Sequence, residues 1–575
     1  MTLVFFCYKV LLFSAYNVKY INEFELNEVN MKKKDIIELN ITEKISMEKS
    51  MGFYEDKKVI VKGGLPGQTA EVFVKKVRKN RAEGNINSII KKADYEIEPM
   101  CDKFNVCGGC SFQNITYEKQ LEFKEDYIKG LFDKTGIEYK EFLPILSSPK
   151  DTEYRNKMEF SFGDMEKDGP LCLGMHEKGK HHNIVSTDNC HIVDKDYRSI
   201  LNMTLKYFTD KKIKHYNKFS KEGTLRHLVI RKAMYTGQIL VNLVTTSQEK
   251  ININEYKDLL LDLNLDGEIV GILHTINDSF SDAVIVDEVK LIYGRDYIME
   301  KCLGLDFKIS AFSFFQTNTL GSEVLYSVVK DFIGEEDNDV ILDLYCGTGT
   351  ITQILSDKAR EVYGIEIVEE AIEAAKINAK LNGIDNCKFI CGDVLKEVDK
   401  IDVKSDLIIL DPPRAGIHPK AIDKIISFKP DKFVYVSCKA TSLIRDLPFF
   451  IEAGYEVEKV RAVDMFPQTG HVECVVLLSQ QKPDMTIDVE LKLDEIDVTS
   501  SEIKPTYAEI KEYILEKFGK KVSTLYISQI KEKIGISKRP CYNKSKKEEH
   551  VVPQCTPEKE EYIMDAFRHF KVIPE

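Results

Sequence analysis

No stretch of this chain reaches the ~18 consecutive apolar residues that a membrane-crossing helix requires, so no span of that kind is expected. The nearest approach is the first eighteen residues, MTLVFFCYKVLLFSAYNV. Lys9 interrupts them, and neither a basic start nor a small-residue cleavage site accompanies them. They do not read as a secretory signal, and translation starting later, at Met31 or Met47, is expected instead, with Met1 left open. Cysteine is scarce for a secreted scaffold: 14 in 575 residues, without the regular spacing of disulfide frameworks, which points to a reducing cytoplasm. Glycine and proline, 31 and 17, are too few for a collagen-like or low-complexity chain. Excess positive charge is missing as well. Lys and Arg number 81 against 93 Asp and Glu, a net charge of −12, which excludes a surface coated throughout by nucleic acid and leaves local patches for it. What remains is a globular composition, long enough for three or four domains at roughly 150 residues each, with a monomer as the expected state.

One basic patch is present. Ten Lys or Arg fall between Lys57 and Lys92, against only Glu71 and Glu83. They lie on short alternating segments separated by Gly and Pro turn signals, the pattern of a small β-barrel over residues 35–94. Barrels of that kind bind single-stranded nucleic acid, so RNA contact is expected here rather than a merely solvated face. Residues 95–305 mix helical stretches with strand-like runs and read as an α+β region. Over 306–481 apolar strands alternate with helical segments, which predicts an α/β, doubly wound, mostly parallel sheet. Residues 482–575 open with an acidic stretch, continue as amphipathic helix and end in a basic segment (Lys538, Arg539, Lys544, Lys546, Lys547). They form a helical extension whose basic end suits RNA contact and plain solvation equally.

Val340–Thr350, VILDLYCGTGT, reads as a buried strand ending in a glycine turn that opens a helix, where a ligand can approach the backbone. Glu366 follows Gly347 by nineteen residues, close to the ~20 expected of an acid that takes ribose hydroxyls. A third strand ends at Asp393 and a fourth at Asp411-Pro412-Pro413-Arg414. In isolation Asp-Pro-Pro reads equally well as a helix cap. Together the four strand ends line one carboxyl edge, where ligands bind in such sheets. The G-x-G-x-x-G phosphate cradle is lacking, and acidic groups that repel a pyrophosphate suit a sulfonium. The arrangement resembles the class I S-adenosylmethionine-dependent methyltransferases. A fifth strand ends at Cys438. A lone cysteine is more often buried filler, but this one sits at the same edge with Lys439 next to it, where a thiolate is stabilised.

FFQTN (Phe314–Asn318), DLYCGTGT, DPPRAG (Asp411–Gly416), VSC (Val436–Cys438) and FPQTGHVE (Phe466–Glu473) together resemble the RNA (uracil-5)-methyltransferase family. CGGCSFQ (Cys107–Gln113), EYRNKMEFSFG (Glu153–Gly163) and the basic barrel resemble its 23S ribosomal RNA branch, which carries a TRAM-type RNA-binding domain; the likeness covers roughly residues 35–480. It implies that Cys438 attacks uracil C6 and that Glu473 is the base that removes the C5 proton. It assigns Gln316, Tyr345, Gly347, Glu366, Asp393 and Asp411 to S-adenosylmethionine. Arg414, Arg155 and Lys157 are assigned to the RNA, whose uridine must be single-stranded or flipped out. One departure stands out: the family usually reads Asn-Pro after the nucleophile, and this chain has Lys439-Ala440. Three alternatives stay open. One is a transfer RNA target. Another is methylation of an adenine or guanine amino group, although such enzymes usually place an aromatic where Arg414 stands and need no Cys438. The last is an RNA-binding or cluster-carrying protein without catalysis.

Cys101, Cys107 and Cys110 form C-x5-C-x2-C, and Cys190 follows in TDNCHI. Four thiolates hold zinc or an iron–sulfur cluster; three close cysteines and one distant are more typical of a cluster, and the resemblance makes it [4Fe-4S], with a structural role in shaping the RNA-binding surface.

Overall fold

The computed structural model describes residues 31–280, 287–335, 338–397, 400, 404–480, 507–534, 555–570 and 572–573. The apolar N-terminal segment, the acidic stretch after residue 482 and the basic segment around Lys538–Lys547 lie outside the described residues. Two compact units result, divided between Lys482 and Pro483.

The first unit begins with a closed five-stranded barrel: β1 (Ile36–Ser46), β2 (Lys49–Tyr54), β3 (Lys57–Lys62), β4 (Thr69–Val77) and β5 (Arg81–Lys91), in the order β1-β2-β3-β5-β4. Strict alternation builds it: Ile37, Leu39 and Ile41 of β1, and Ala70, Val72 and Val74 of β4, fill the interior. None of the ten clustered basic residues is buried. Gly84 is required at the crossing of β5 over β4, where a Cβ would come within 2.4 Å of Val72.

A 19-residue helix, Tyr117–Thr135, capped by Thr116 and by left-handed Gly136, leads into β6 (Glu141–Leu146). The α+β region then forms a seven-stranded sheet. Its strands are β7 (Lys157–Gly163), β8 (Cys172–His176), β9 (Ile184–Ser186), β10 (Leu225–Lys232), β11 (Gln238–Thr245), β12 (Glu268–Ile276) and β13 (Glu288–Gly294). They run in the order β13-β12-β11-β10-β7-β8-β9, and helices Lys195–Lys211 and Ile253–Leu261 pack Tyr197, Ile200, Phe208 and Tyr256 against it. A hairpin, β14 (Tyr297–Cys302) and β15 (Leu305–Ser310), precedes the last sheet.

That sheet contains β16 (Asn338–Leu344), β17 (Ala359–Glu366), β18 (Cys387–Cys391), β19 (Leu407–Leu410), β20 (Lys432–Ser437), β21 (Tyr455–Val463) and β22 (Glu473–Gln480). The order is β18-β17-β16-β19-β20-β22-β21-β6. β16 to β20 are parallel, and β22 runs antiparallel to both its neighbours. Helices cover both faces, so Val340, Leu342 and Leu344 point into one core layer and Ile341 into the other; strands buried on both sides read as continuous apolar runs. Each such side chain contributes roughly 1.5–3 kcal/mol by burial. Strand order reverses between β16 and β19, which opens a crevice at their carboxyl ends. The sheet is therefore the α/β fold of a class I methyltransferase, extended at its edge by β6 from the helix-led segment upstream.

In the second unit, helices Tyr507–Phe518, Thr524–Lys533 and Pro557–His569 share a core of Ile510, Ile514, Ile527, Ile563 and Phe567.

Candidate active site

The turn after β16 is wound tightly. Tyr345, Gly347 and Gly349 all have positive φ (70°, 54° and 69°). A Cβ on Gly349 would meet Phe389 and Ala375 within 3 Å, so the close packing of turn on helix demands glycine. Tyr345 has no such freedom, and holding it in the left-handed region costs of order 1 kcal/mol, a strain that turns its ring into the crevice. At the end of β17, Glu366 is fixed by three backbone donors: Gly347 N (3.2 Å) to one carboxylate oxygen, Ile367 N (2.8 Å) and Val368 N (3.0 Å) to the other.

A cleft of 1520 Å³ runs along this edge, lined by Gln316, Tyr345, Gly347, Glu366, Asp393, Asp411, Arg414, Cys438 and Glu473. Three buried acids at this edge are held away from ordinary titration. Asp343, buried beneath the turn, accepts from Thr352 Oγ1 at 2.6 Å, and burial pushes it up to about 6. Burial, followed by the charge of Asp343, pushes Asp411 up to about 7. Glu473 is pushed to about 8 by burial and by Asp411, with Arg414 opposing. Burial, then Glu473 and Asp411, push the Cys438 thiol up to about 11, while the Arg414 guanidinium, hydrogen-bonded to it, pulls it down. Carboxyls crowded together in a buried site prefer to be neutral; a ligand bearing positive charge lets them ionise.

One helix, Ala440–Glu452, anchors both halves of the reacting end. It starts two residues after Cys438, and its Ser442 Oγ and Arg445 Nη2 donate to the carbonyls of Arg414 (2.8 Å) and Ala415 (2.7 Å). The Lys439-Ala440 departure leaves this geometry intact. Lys439 is the extended N-cap residue and Ala440 the first helical one, the position where proline is also accommodated; what is lost is a side-chain cap.

Arg155 and Lys157 are not in the cleft. Arg155 lines a separate cavity beside the cysteines, and Lys157 is half-buried, pushed down to about 8 by burial and by Arg231. Asn156 between them has the direct role: its side chain donates to Gln316 O (2.9 Å) and Thr319 Oγ1 (2.8 Å), which fixes the FFQTN segment. Sequence pattern does not single out Asn156, nor Ile367 and Val368, whose side chains line the cleft beside Glu366. The Asp-x-Tyr pattern at Asp343 was the available sign for that residue.

Cys101, Cys107, Cys110 and Cys190 line one cavity of 140 Å³. Gly109 N and Gln113 Nε2 each donate to a sulfur at 3.3 Å, on Cys107 and Cys110. Among the described residues no group of three or more Cys, His, Asp or Glu converges on a single ion; the four cysteines share a cavity without forming the tight tetrahedral cage of a zinc site.

The model of the tRNA (uracil-5-)-methyltransferase family matches residues 116–481. An RNA methyltransferase of Clostridium tetani is 51% identical over 451 residues, 78% of this chain and 99% of the relative. One of Caldanaerobacter subterraneus is 48% identical over 450 residues, 78% of this chain and all of the relative. Among solved structures, the Pyrococcus abyssi tRNA (uracil-54, C5)-methyltransferase bound to S-adenosyl-L-homocysteine is 28% identical, with a TM-score of 0.61 over 77% of this chain and all of that one.

Proposed function

Because the chain belongs to the tRNA (uracil-5-)-methyltransferase family, we propose that it methylates C5 of a uridine in RNA through a covalent adduct on Cys438, with Glu473 as the base. The observation that carries this reading is the presence of a thiol, a guanidinium and a buried carboxyl (Cys438, Arg414, Glu473) in the same cleft as the cofactor-side acids. Uracil C5 is a poor nucleophile. Attack of the Cys438 sulfur on C6 forms an S–C6 bond and makes an enolate across C5 and O4, which takes the methyl group from the sulfonium. Glu473 then accepts the C5 proton, the C5=C6 double bond re-forms, and the S–C6 pair returns to Cys438. The sulfonium supplies the methyl group and positive charge; Asp411 supplies a carboxylate to match it. Glu366, preset by three N–H donors, suits the ribose hydroxyls, Asp393 the adenine end, and Gln316, Tyr345 and Gly347 the rest of the cofactor. Arg414 holds the thiolate and the uracil edge.

We assign the target to 23S ribosomal RNA, supported by the basic barrel as a TRAM-type RNA-binding domain and by the four-cysteine cavity. Four soft thiols with N–H donors on two of them suit a [4Fe-4S] cluster, whose several atoms fill a shared cavity, better than one zinc ion. Cys101, Cys107, Cys110 and Cys190 would hold it, with a structural role. Arg155 and Lys157, outside the cleft, are assigned to the RNA backbone, and the enzyme acts as a cytoplasmic monomer. Transfer RNA is the second reading, since the Pyrococcus abyssi protein acts on it.

The deciding experiment is intact-protein mass spectrometry of wild type and Cys438→Ser with S-adenosylmethionine and RNA carrying 5-fluorouracil. Fluorine cannot leave as a cation, so wild type is expected to stall as an adduct heavier by RNA plus methyl, and the variant to form none. An active enzyme that forms no adduct overturns the reading. Repeating it with ribosomal and transfer RNA separates the two targets.

A further inference from the structure

The loop between β21 and β22 carries Phe466 and His471 and delivers Glu473. Its two ends are strand-paired, Val463 opposite Glu473, but its tip is held from elsewhere in the chain. Gln120 and Lys124, one turn apart on the helix Tyr117–Thr135 and both fully buried, reach it. Gln120 Nε2 donates to Gln468 Oε1 (2.9 Å) while Gln468 N donates to Gln120 Oε1 (2.8 Å). Lys124 Nζ donates to Asp464 Oδ1 (2.7 Å) and to Phe466 O (3.2 Å). The carbonyl of Gln468 takes Ser111 N (2.8 Å) and Phe112 N (3.1 Å), directly after the Cys110 thiol in sequence. Tyr154 Oη donates to Pro467 O (3.0 Å).

This is more than a loop needs to close a hairpin. Gln468 sits at a φ of 68°, a conformation a glutamine keeps only when its surroundings over-determine it. The segment so fixed is a wall shared by two cavities: Phe466 and His471 line both the cleft and the cysteine cavity. Cys438, by contrast, follows β20 and precedes the helix Ala440–Glu452, so its own backbone is not part of this loop.

We infer that Gln120, Gln468 and Lys124 are positioning residues for the proton-abstraction half of the reaction. They hold Phe466 and His471 over Glu473 without touching the reacting atoms, so that the carboxylate meets the C5 proton in a closed site. The inference rests on Glu473 as the base. A loosened wall leaves thiol addition and methyl transfer in place and slows only loss of the C5 proton and the return of the S–C6 pair to sulfur. The signature is a methylated adduct that persists on ordinary, unfluorinated RNA.

The test compares Gln468→Asn, Gln120→Leu and Glu473→Gln with wild type, by intact mass on uridine-containing RNA and by turnover. Asparagine tolerates the left-handed backbone of position 468 but is too short to reach Gln120, so the fold is kept while the reciprocal pair is lost; unchanged cofactor affinity by calorimetry verifies this. Expected are turnover down about tenfold and a persistent methylated adduct in both clamp variants, as in Glu473→Gln. If Glu473→Gln accumulates adduct and Gln468→Asn loses adduct formation in parallel with turnover, or keeps wild-type turnover, the positioning role is overturned alone. If Glu473→Gln accumulates none, the base assignment falls and takes the inference with it.

Discussion

Asp343, within β16, acts on Asp411, which directly follows the neighbouring strand β19: burial drives both toward the neutral form, and the charge of Asp343 adds to the shift of Asp411, up to about 7. A cleft with its carboxyls in this state distinguishes a cationic ligand from a neutral one. On the proposed assignment of Asp411 to the cofactor, its ionised form is expected to attract the sulfonium and its protonated form not to.

Affinity for S-adenosylmethionine is therefore expected to rise with pH through about 7. Between pH 6 and 8 a single group centred there gains about tenfold in ionised fraction, and cofactor affinity follows by up to that factor. S-adenosylhomocysteine, which lacks the positive charge, is expected to show a much flatter profile. Titration calorimetry of both ligands at pH 6, 7 and 8 tests this, with Asp411→Asn expected to flatten the first curve and weaken it at pH 8.

The same shifts set the stability of the ligand-free protein. Asp343, Asp411 and Glu473 titrate higher in the folded chain (about 6, 7 and 8) than the roughly 4 of an unfolded carboxyl. The folded state then binds more protons than the unfolded one between these limits, so this contribution is fully present below about 4 and is lost as pH rises to about 8. Melting temperature of the cofactor-free protein is expected to fall by several degrees from pH 5.5 to 8.5. Glu473→Gln is expected to reduce that fall, and a flat profile in both proteins counts against shared burial of the three acids.

The parts of this site legible in sequence are those fixed by local pattern. Strands β16, β19 and β20 announce themselves because burial on both faces forces apolar runs, and the residues that end them must sit at the carboxyl edge of a parallel sheet. The barrel is legible for the opposite reason, since one-sided burial leaves alternation. What distant contacts decide has no such signature. β6 joins the last sheet through Lys459–Val463 of β21, more than three hundred residues away, and its EFLPIL contains a proline that sequence pattern reads against a strand. Arg155 and Lys157 share a motif with Asn156, and nothing in the motif tells that the middle residue faces the FFQTN segment while the flanking cations point elsewhere. The pairing of Gln120 with Gln468 is beyond any local rule.

If the four cysteines hold a cluster, as proposed, removing one of them is expected to separate the two cavities functionally. Cys110→Ala is expected to lose bound iron, measured by absorbance and metal content, and to weaken RNA binding at least several-fold, because the cavity is walled by the segment between Phe466 and His471. Cofactor affinity is expected within about twofold of wild type, since the cofactor-side residues rest on other strand ends. An iron-free variant with unchanged RNA affinity and turnover is incompatible with a structural cluster.

Lys439 offers a test of helix capping next to the reacting thiol. It occupies the N-cap of the helix Ala440–Glu452 in extended conformation, φ −145° and ψ 91°, and its side chain caps nothing. Asparagine there can accept from a first-turn N–H and contribute ~1 kcal/mol, so Lys439→Asn is expected to raise the unfolding midpoint in urea without changing the slope of the transition. The same helix ties down the carbonyls of Arg414 and Ala415, so its firmer start also steadies the guanidinium beside the thiol. Alkylation of Cys438 by iodoacetamide across pH then reports on the second effect. Firmer placement of Arg414 favours the thiolate, and the midpoint of the alkylation profile is expected to move below that of the parent protein. A midpoint that moves up, or a urea transition that moves down, shows that the lysine charge stabilises this turn more than a cap does.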